Sequence, residues 1–404
     1  MIHNAFNRPI RGSKSFPFLV TSSLHFTEQL SFSSPTFQEN LANPSGPSDQ
    51  HHIRWKMGLM GCRGTPIWDV DLEVLVVVML IGVVFLNLVE ESKQLSTSHP
   101  MRGVVDKVNE DGGPYIGLVM AYPTEELALQ LSGFFLPNPD IPWIQLAGRR
   151  FNIGKINGVK VIYVMTGEQT TNAALTVQAL LDAFNIQGIV HYGTAGSTND
   201  SLSLGDVSVM NYVAFTSSWK WKEFKSEKGQ LPTLTFGAFN FPEKGENLLA
   251  KIEFRPVQLY STGKQMEELF WLPIDSNWFN IAAQLQNLTL QQCVNDTCCL
   301  PEKPKVVHGL KGSTADIFLD NAAYREYLFK QFNVSTVDEE SAAVVFTCLT
   351  NAVPCIVFRG VSDLASGNGS PLSASLSSLA SVNALTVAVQ FIHLVNGESS
   401  VVDQ

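Results

Sequence analysis

Charge is scarce in this sequence: 16% of its 404 residues are Asp, Glu, Lys or Arg, against 45% that are hydrophobic. Cations are scarcer still, with 27 Lys and Arg against 37 Asp and Glu and a net charge of −10 at pH 7. No basic stripe reverses that balance locally, so a partner held by phosphate contacts, nucleic acid above all, is excluded and a small ligand is favoured. Cysteine is sparse too, since six in a chain of this length do not make a disulfide scaffold. The cluster Cys293, Cys298 and Cys299 lacks the paired spacing and nearby His of a zinc site, so no metal and no other cofactor is expected. Gly (29) and Pro (20) stay near average usage, which excludes collagen-like and wholly disordered chains. What remains is a chain with ample apolar material for a core.

Long apolar runs are missing except for one, Val74 to Val89. At roughly 16 residues it is short for a membrane span of about 20 and suited to the apolar core of a secretion signal. The residues before it, 1–73, show no sustained period over most of their length and are expected to be a disordered extension or the product of a mis-set start codon. Beyond it lie five N-x-[ST] sequons, at Asn199, Asn287, Asn295, Asn333 and Asn368. Together these features predict the secretory route and an extracellular or vacuolar destination, with a membrane-anchored form if residues 74–89 are retained. In that oxidising setting Cys293 has two partners within reach, Cys298 and Cys299, while Cys348 and Cys355 sit in apolar runs and read as buried thiols.

From Pro114 onward short β-rich runs alternate with amphipathic stretches. Tyr115 to Ala121 is apolar throughout and bounded by Pro114 and Pro123, the pattern of a strand buried on both faces. Thr124 is placed to cap a helix reaching about Leu131. The same reading gives strands over 159–166, 188–192, 206–216, 305–310 and 355–361, helices over 171–184, 321–332, 339–351 and 374–395, and a loop over Gly193 to Ser197. The alternation predicts one α/β domain over 114–397, a three-layer α/β/α arrangement with a central mixed sheet. Residues 220–304 lack a regular period and read as an irregular insertion.

In such a domain a ligand sits at the carboxyl ends of the strands. Four of those ends carry informative groups: Glu125 and Glu126; Gly193-Thr194-Ala195-Gly196, whose small residues allow close backbone approach; Gly312 to Phe318 and Leu319; and Arg359-Gly-Val-Ser362-Asp363. Each alone has an ordinary explanation as a turn, a cap or a core ring. In combination they are more specific. Val337-Asp-Glu-Glu340-Ser-Ala-Ala-Val344 followed by Arg359-Gly-Val-Ser362-Asp363 is similar to the D-M-E-x-A-A and R-x-x-S-D signature of the nucleoside phosphorylase superfamily. More narrowly, the chain resembles the 5′-methylthioadenosine/S-adenosylhomocysteine nucleosidases and the plant bark and vegetative storage proteins. Ile116 to Glu126 and Thr166 to Ala174 fall in the same order as the family's motifs.

The resemblance implies a phosphorylase-type fold and cleavage of the N-glycosidic bond of a purine nucleoside. Such cleavage builds positive charge on the sugar and negative charge on the departing base, so an acid is needed at the base and an acceptor at the sugar. By resemblance Asp363 protonates the purine N7, a role that requires burial to keep it protonated near neutrality. Glu125 positions and deprotonates the attacking water, and Glu340 accepts both ribose hydroxyls. Phe318 stacks on the base, the backbone of Leu319 bonds its edge, and Arg359 joins a polar network lined by Thr194, Ala195, Gly196 and Ser362. A homo-oligomer is also implied, in which a neighbouring subunit completes the sugar pocket.

Departures from the pattern refine the expectation. His191 stands where phosphorolytic members carry a phosphate-holding Arg, and Gly167-Glu168-Gln169 stands where a Gly-x-Gly is expected, so water is favoured over phosphate as nucleophile. Glu339 replaces the Met before the ribose-binding Glu, and Tyr122 replaces another Met. A second carboxylate beside Glu340 opposes sugar binding. Two readings therefore stand: a nucleosidase for methylthioadenosine-type nucleosides, or a catalytically weak vacuolar storage protein on the same fold.

Overall fold

The computed structural model describes residues 95–96, 98–222, 230–235, 251–365 and 371–402. The expected N-terminal extension (1–73), the apolar segment 74–89 and the sequon at Asn368 lie outside the described residues.

Helix α1 (Arg102–Gly112) precedes the expected start of the domain and buries Val105 and Val108 in its core. Strand β1 (Tyr115–Met120) is buried at every position, as its unbroken apolar run requires. Helix α2 (Pro123–Ser132) has proline at its first turn and ends on Gly133 at φ 72°, the residues best suited to those places. Its cap is not Thr124. The carboxylate of Glu125 instead reaches back to accept from the backbone N–H of Tyr122 at 3.0 Å.

The chain continues through β2 (Phe135–Pro137), β3 (Trp143–Leu146), β4 (Arg149–Ile156), β5 (Val159–Met165), α3 (Thr170–Ala183), β6 (Ile186–Ser197) and β7 (Val207–Phe215). An excursion follows, with short strands β8 to β15 (Trp219–Lys222, Thr233–Thr235, Lys251–Phe254, Val257–Leu259, Glu267–Leu269, Leu272–Pro273, Cys293–Asn295 and Cys298–Cys299) and helix α4 (Ser276–Ala282). The return runs through β16 (Val306–Thr314), α5 (Ala322–Phe332), β17 (Val334–Asp338), α6 (Ser341–Thr350), β18 (Cys355–Leu364) and α7 (Pro371–Val402).

Eleven strands form one mixed sheet flanked by helices, so the α/β class with a central mixed sheet is borne out. Half of that sheet is open, with β1 parallel to both β5 and β6 and β4 antiparallel to β5. The other half closes on itself. β6 pairs with β18, β18 with β7, β7 with β16, β16 with β17, and β17 returns to β6. Closure gives each of these strands a partner on both edges, so they run further than their apolar cores suggest. Gly193 to Ser197 is accordingly not the expected loop but the end of β6, paired with Arg359 to Leu364 of β18. A bulge in that ladder between Val361 and Asp363 bends the strand beside the cleft described below.

The excursion is more regular than an insertion without period would be. Strand β10 pairs with β8 and β9, and its Ile252 and Phe254 form an apolar cluster with Leu328 and Phe332 of α5. Cys293 is disulfide-bonded to Cys299, Cys298 is free, and Cys348 and Cys355 are buried thiols. Within α7 the stretch Ser378–Gly397 is long and apolar enough to cross a membrane, yet Ala380, Ala384, Ala388 and Phe391 are fully buried in the domain's core. Gly360 of β18 makes this packing possible, because a Cβ there would lie 2.2 Å from the carbonyl oxygen of Ala380.

Candidate functional site

The carboxyl ends of β1, β6, β17 and β18 and the loop after β16 enclose a cleft of about 280 Å³. Nine of the ten residues singled out from the sequence line it: Glu125, Thr194, Ala195, Gly196, Phe318, Leu319, Glu340, Ser362 and Asp363. The tenth, Arg359, is fully buried behind that lining.

Arg359 organises the floor. Its Nε donates to Ser341 Oγ (3.0 Å) and lies 3.1 Å from Asp338 Oδ2, while Nη2 donates to Glu340 Oε2 (3.1 Å) and to His191 Nε2 (2.6 Å). Nη1 donates to the carbonyl of Thr194 at 3.3 Å. An isolated guanidinium could not be held there; paired carboxylates and neutral acceptors offset its desolvation. Burial alone would lower its pKa, but Asp338, Glu340 and Glu125 together raise it. None of these bonds goes to Asp363.

Asp338 went unassigned from sequence, although it stands within the quoted motif. Its side chain is 2% exposed. Oδ1 accepts from Thr314 Oγ1 (2.6 Å) and from the backbone N–H groups of Glu340 (3.1 Å) and Ser341 (2.9 Å), and Oδ2 accepts from Ser341 Oγ (2.6 Å). Burial pushes its pKa up, yet Arg359 and these donors hold it below the ordinary value. An Asp just before a helix is the signal that would have marked it as a cap.

His191 is fully buried and absent from the cleft lining. With Nδ1 bonded to the carbonyl of Val119 (3.0 Å) the proton belongs on that nitrogen, which leaves Nε2 to accept from Arg359. Burial, then Arg359, lowers its pKa to about 3. The imidazole is therefore neutral and structural.

The two cleft glutamates differ in what they have left to offer. Glu340 Oε1 accepts from the backbone N–H of Gln169 (3.1 Å) and Oε2 from Arg359, so each oxygen keeps one acceptor direction toward the cleft. Burial raises its pKa to about 7, against the pull of Arg359 and with help from Asp338 and Glu125. Glu125, by contrast, is saturated. Oε2 accepts from the N–H groups of Ala121 (2.9 Å) and Tyr122 (3.0 Å), and Oε1 from Thr194 N–H (2.7 Å) and Oγ1 (3.0 Å). Four donors fill the roughly four lone-pair positions of a carboxylate. Gly193 is needed for this arrangement, since a Cβ there would lie 2.2 Å from Arg359 Nη1 and 2.6 Å from Glu125 Oε1.

The rim is looser. Asp363 is half-buried, not buried as its assigned role requires, and accepts from Ser362 Oγ at 2.7 Å. Phe318 is 80% exposed and Tyr122 45%. Glu339 faces the same cleft, its pKa raised by burial and by the nearby carboxylates Glu168, Asp316 and Asp338. Gln169, where a glycine was expected, holds φ 79° and ψ 156°, a conformation that strains any residue with a Cβ.

This fold and this ordered constellation are those of one family, and residues 115–392 match the model of the phosphorylase superfamily; the chain belongs to it. It is 44% identical over 280 residues to bark storage protein A of Populus deltoides, covering 69% of this chain and 88% of that protein. To the 5′-methylthioadenosine/S-adenosylhomocysteine nucleosidase of Staphylococcus epidermidis it is 25% identical over 229 residues, 56% of this chain and 79% of that protein. Among solved structures, the corresponding nucleosidase of Colwellia psychrerythraea, in complex with adenine, superposes with a TM-score of 0.50 at 20% identity, covering 69% of this chain and 95% of that one.

Proposed function

We propose that this protein is a storage-type member of its superfamily, one that keeps a cleft for purine nucleosides of the methylthioadenosine type but turns them over negligibly. The observation that carries this reading is the saturation of Glu125: a carboxylate with four donors from its own chain has no position left from which to orient and deprotonate a water. Two further features support it. Asp363 is only half-buried, short of the burial its assigned role calls for, and Glu339 adds a carboxylate beside the sugar-binding position. The greater identity to a bark storage protein than to a nucleosidase agrees.

Deposition through the secretory route belongs to the same proposal. Asn287, Asn295 and Asn333 are exposed sequons, whereas Asn199 is half-buried with its amide bonded to Ser335 Oγ. Self-association that covers Phe318 also belongs to it, and light scattering on the purified protein tests that.

A second reading, a working nucleosidase, is favoured by Glu340, whose two free acceptor directions suit the paired hydroxyls of a ribose. The experiment that separates them is adenine release from methylthioadenosine and adenosine, with and without phosphate, alongside direct binding. Binding without release supports storage. Release without phosphate supports the nucleosidase, and strict phosphate dependence rules out both.

A further inference from the structure

The turn between β5 and α3 borders two cavities. Glu168 faces the cleft, whereas Thr166, Gly167 and Asn172 line a second cavity, of about 560 Å³, together with Arg149 and Arg150 at the start of β4. This second space plays no part in the reading above. Its two cations are not ion-paired: among the described residues neither Arg149 nor Arg150 has a carboxylate within ion-pair distance.

Both are nevertheless held in place. Arg149 Nε donates to Thr176 Oγ1 (3.0 Å) and Nη2 to Asn172 Oδ1 (2.7 Å), both neutral acceptors, while Nη1 makes only a 3.5 Å contact with the carbonyl of Gly148. Arg150 Nε donates to Asn152 Oδ1 (3.0 Å), and its guanidinium lies 4.8 Å from the centre of the Trp143 ring. Nε and one hydrogen of Nη2 are therefore consumed in positioning Arg149, which leaves the second Nη2 hydrogen and the weakly engaged Nη1 for a ligand. Guanidinium groups fixed beforehand by neutral partners lose little entropy on binding and match the planar geometry of an oxyanion.

The lining also carries Glu126 and Gln130, one turn apart on α2, and Tyr163 of β5, the cross-strand neighbour of Asn152. Glu126 is half-buried and its pKa is raised by burial against the pull of Arg150. These groups suit the polar, uncharged or cationic remainder of a molecule larger than a bare ion.

We propose that this cavity binds a small organic oxyanion, a phosphate ester or a carboxylate, through Arg149 and Arg150. The site is independent of the nucleoside cleft, so it stands or falls apart from the storage reading. Inorganic phosphate and succinate serve as probes, titrated calorimetrically into the full-length protein with ionic strength held constant by sodium chloride. Saturable binding of at least one probe at one site per chain is expected, with phosphate preferred if the ligand is a phosphate ester and succinate preferred if it is a carboxylate. Arg149→Gln and Arg150→Gln each weaken that binding about tenfold. Glu126→Gln strengthens it severalfold by removing a like charge. Arg150 is itself exposed and gives up a single side-chain hydrogen bond, to the buried Asn152, so its variant remains informative if the Arg149 variant fails to fold. Absence of saturable binding by both probes, or binding indifferent to both arginine substitutions, overturns the proposal.

Discussion

The floor and the rim of the cleft satisfy their polar groups in opposite ways. On the floor, Arg359, Asp338, His191, Glu340 and Glu125 are buried and bonded to one another or to backbone, and little is left over. On the rim, Phe318, Tyr122 and Glu168 stand open to solvent, and Glu339 and Asp363 are only half-buried. The contrast teaches that polar residues at a cleft of this family serve two ends. The floor fixes where β6, β18 and α6 meet, and would do so without any ligand. Only the rim and the free directions of Glu340 remain for recognition.

The comparison breaks most visibly at Arg359. Arg359→Met strands Asp338 and Glu340 as buried, uncompensated acids and is expected to cost about 3–5 kcal/mol, measured by denaturant unfolding. Replacing Phe318 on the rim tests the other half, as described below.

Acidity sharpens the contrast inside the floor itself. Glu340, with its pKa raised by burial to about 7, keeps a proton when folded that the unfolded chain has lost above the ordinary carboxyl value of 4.5, so its contribution to stability falls as pH rises from about 4.5 to about 7. His191, lowered by burial and Arg359 to about 3, refuses a proton that the unfolded chain takes up below 6.5, so its contribution falls as pH drops from about 6.5 to about 3. The two slopes oppose each other between about 4.5 and 6.5. Melting temperatures across that window should be nearly flat from this pair, rise with pH in Glu340→Gln, and fall with pH in His191→Asn.

Much of this was legible beforehand. Apolar runs bounded by Pro and Gly marked β1, β5 and β18, and the ordered motifs named nine residues that do share a cleft. What escaped was set by tertiary closure. β17 is five residues with only its two valines apolar, Val-Ser-Thr-Val-Asp, and is a strand because β6 and β16 flank it. Asp338 was visible as a letter in a motif, but its role depends on Thr314 and Ser341 arriving from elsewhere. Exposure of Phe318 and saturation of Glu125 are likewise facts of assembly that no local pattern encodes.

Gln169 offers a smaller test at the boundary between the two regions. Its strained backbone is tolerated because its N–H serves Glu340, and glycine keeps that N–H without the strain. Gln169→Gly is expected to stabilise the protein by about 1 kcal/mol in chemical denaturation, at the low end of what such conformations cost. Smallest of all is Phe318→Ala, which should leave stability within about 0.5 kcal/mol of the parent while weakening nucleoside binding measurably by calorimetry.

Glu125 is a carboxylate with no vacancy, and Thr194→Ala opens one by removing the hydroxyl donor to Oε1 and leaving room for a water in its place. The account predicts that adenine release from methylthioadenosine, at background in the parent protein, rises when that position opens to water. A parent protein that already releases adenine at about 1 s⁻¹ or faster, the range of ordinary enzymes, with no gain from Thr194→Ala, would contradict it.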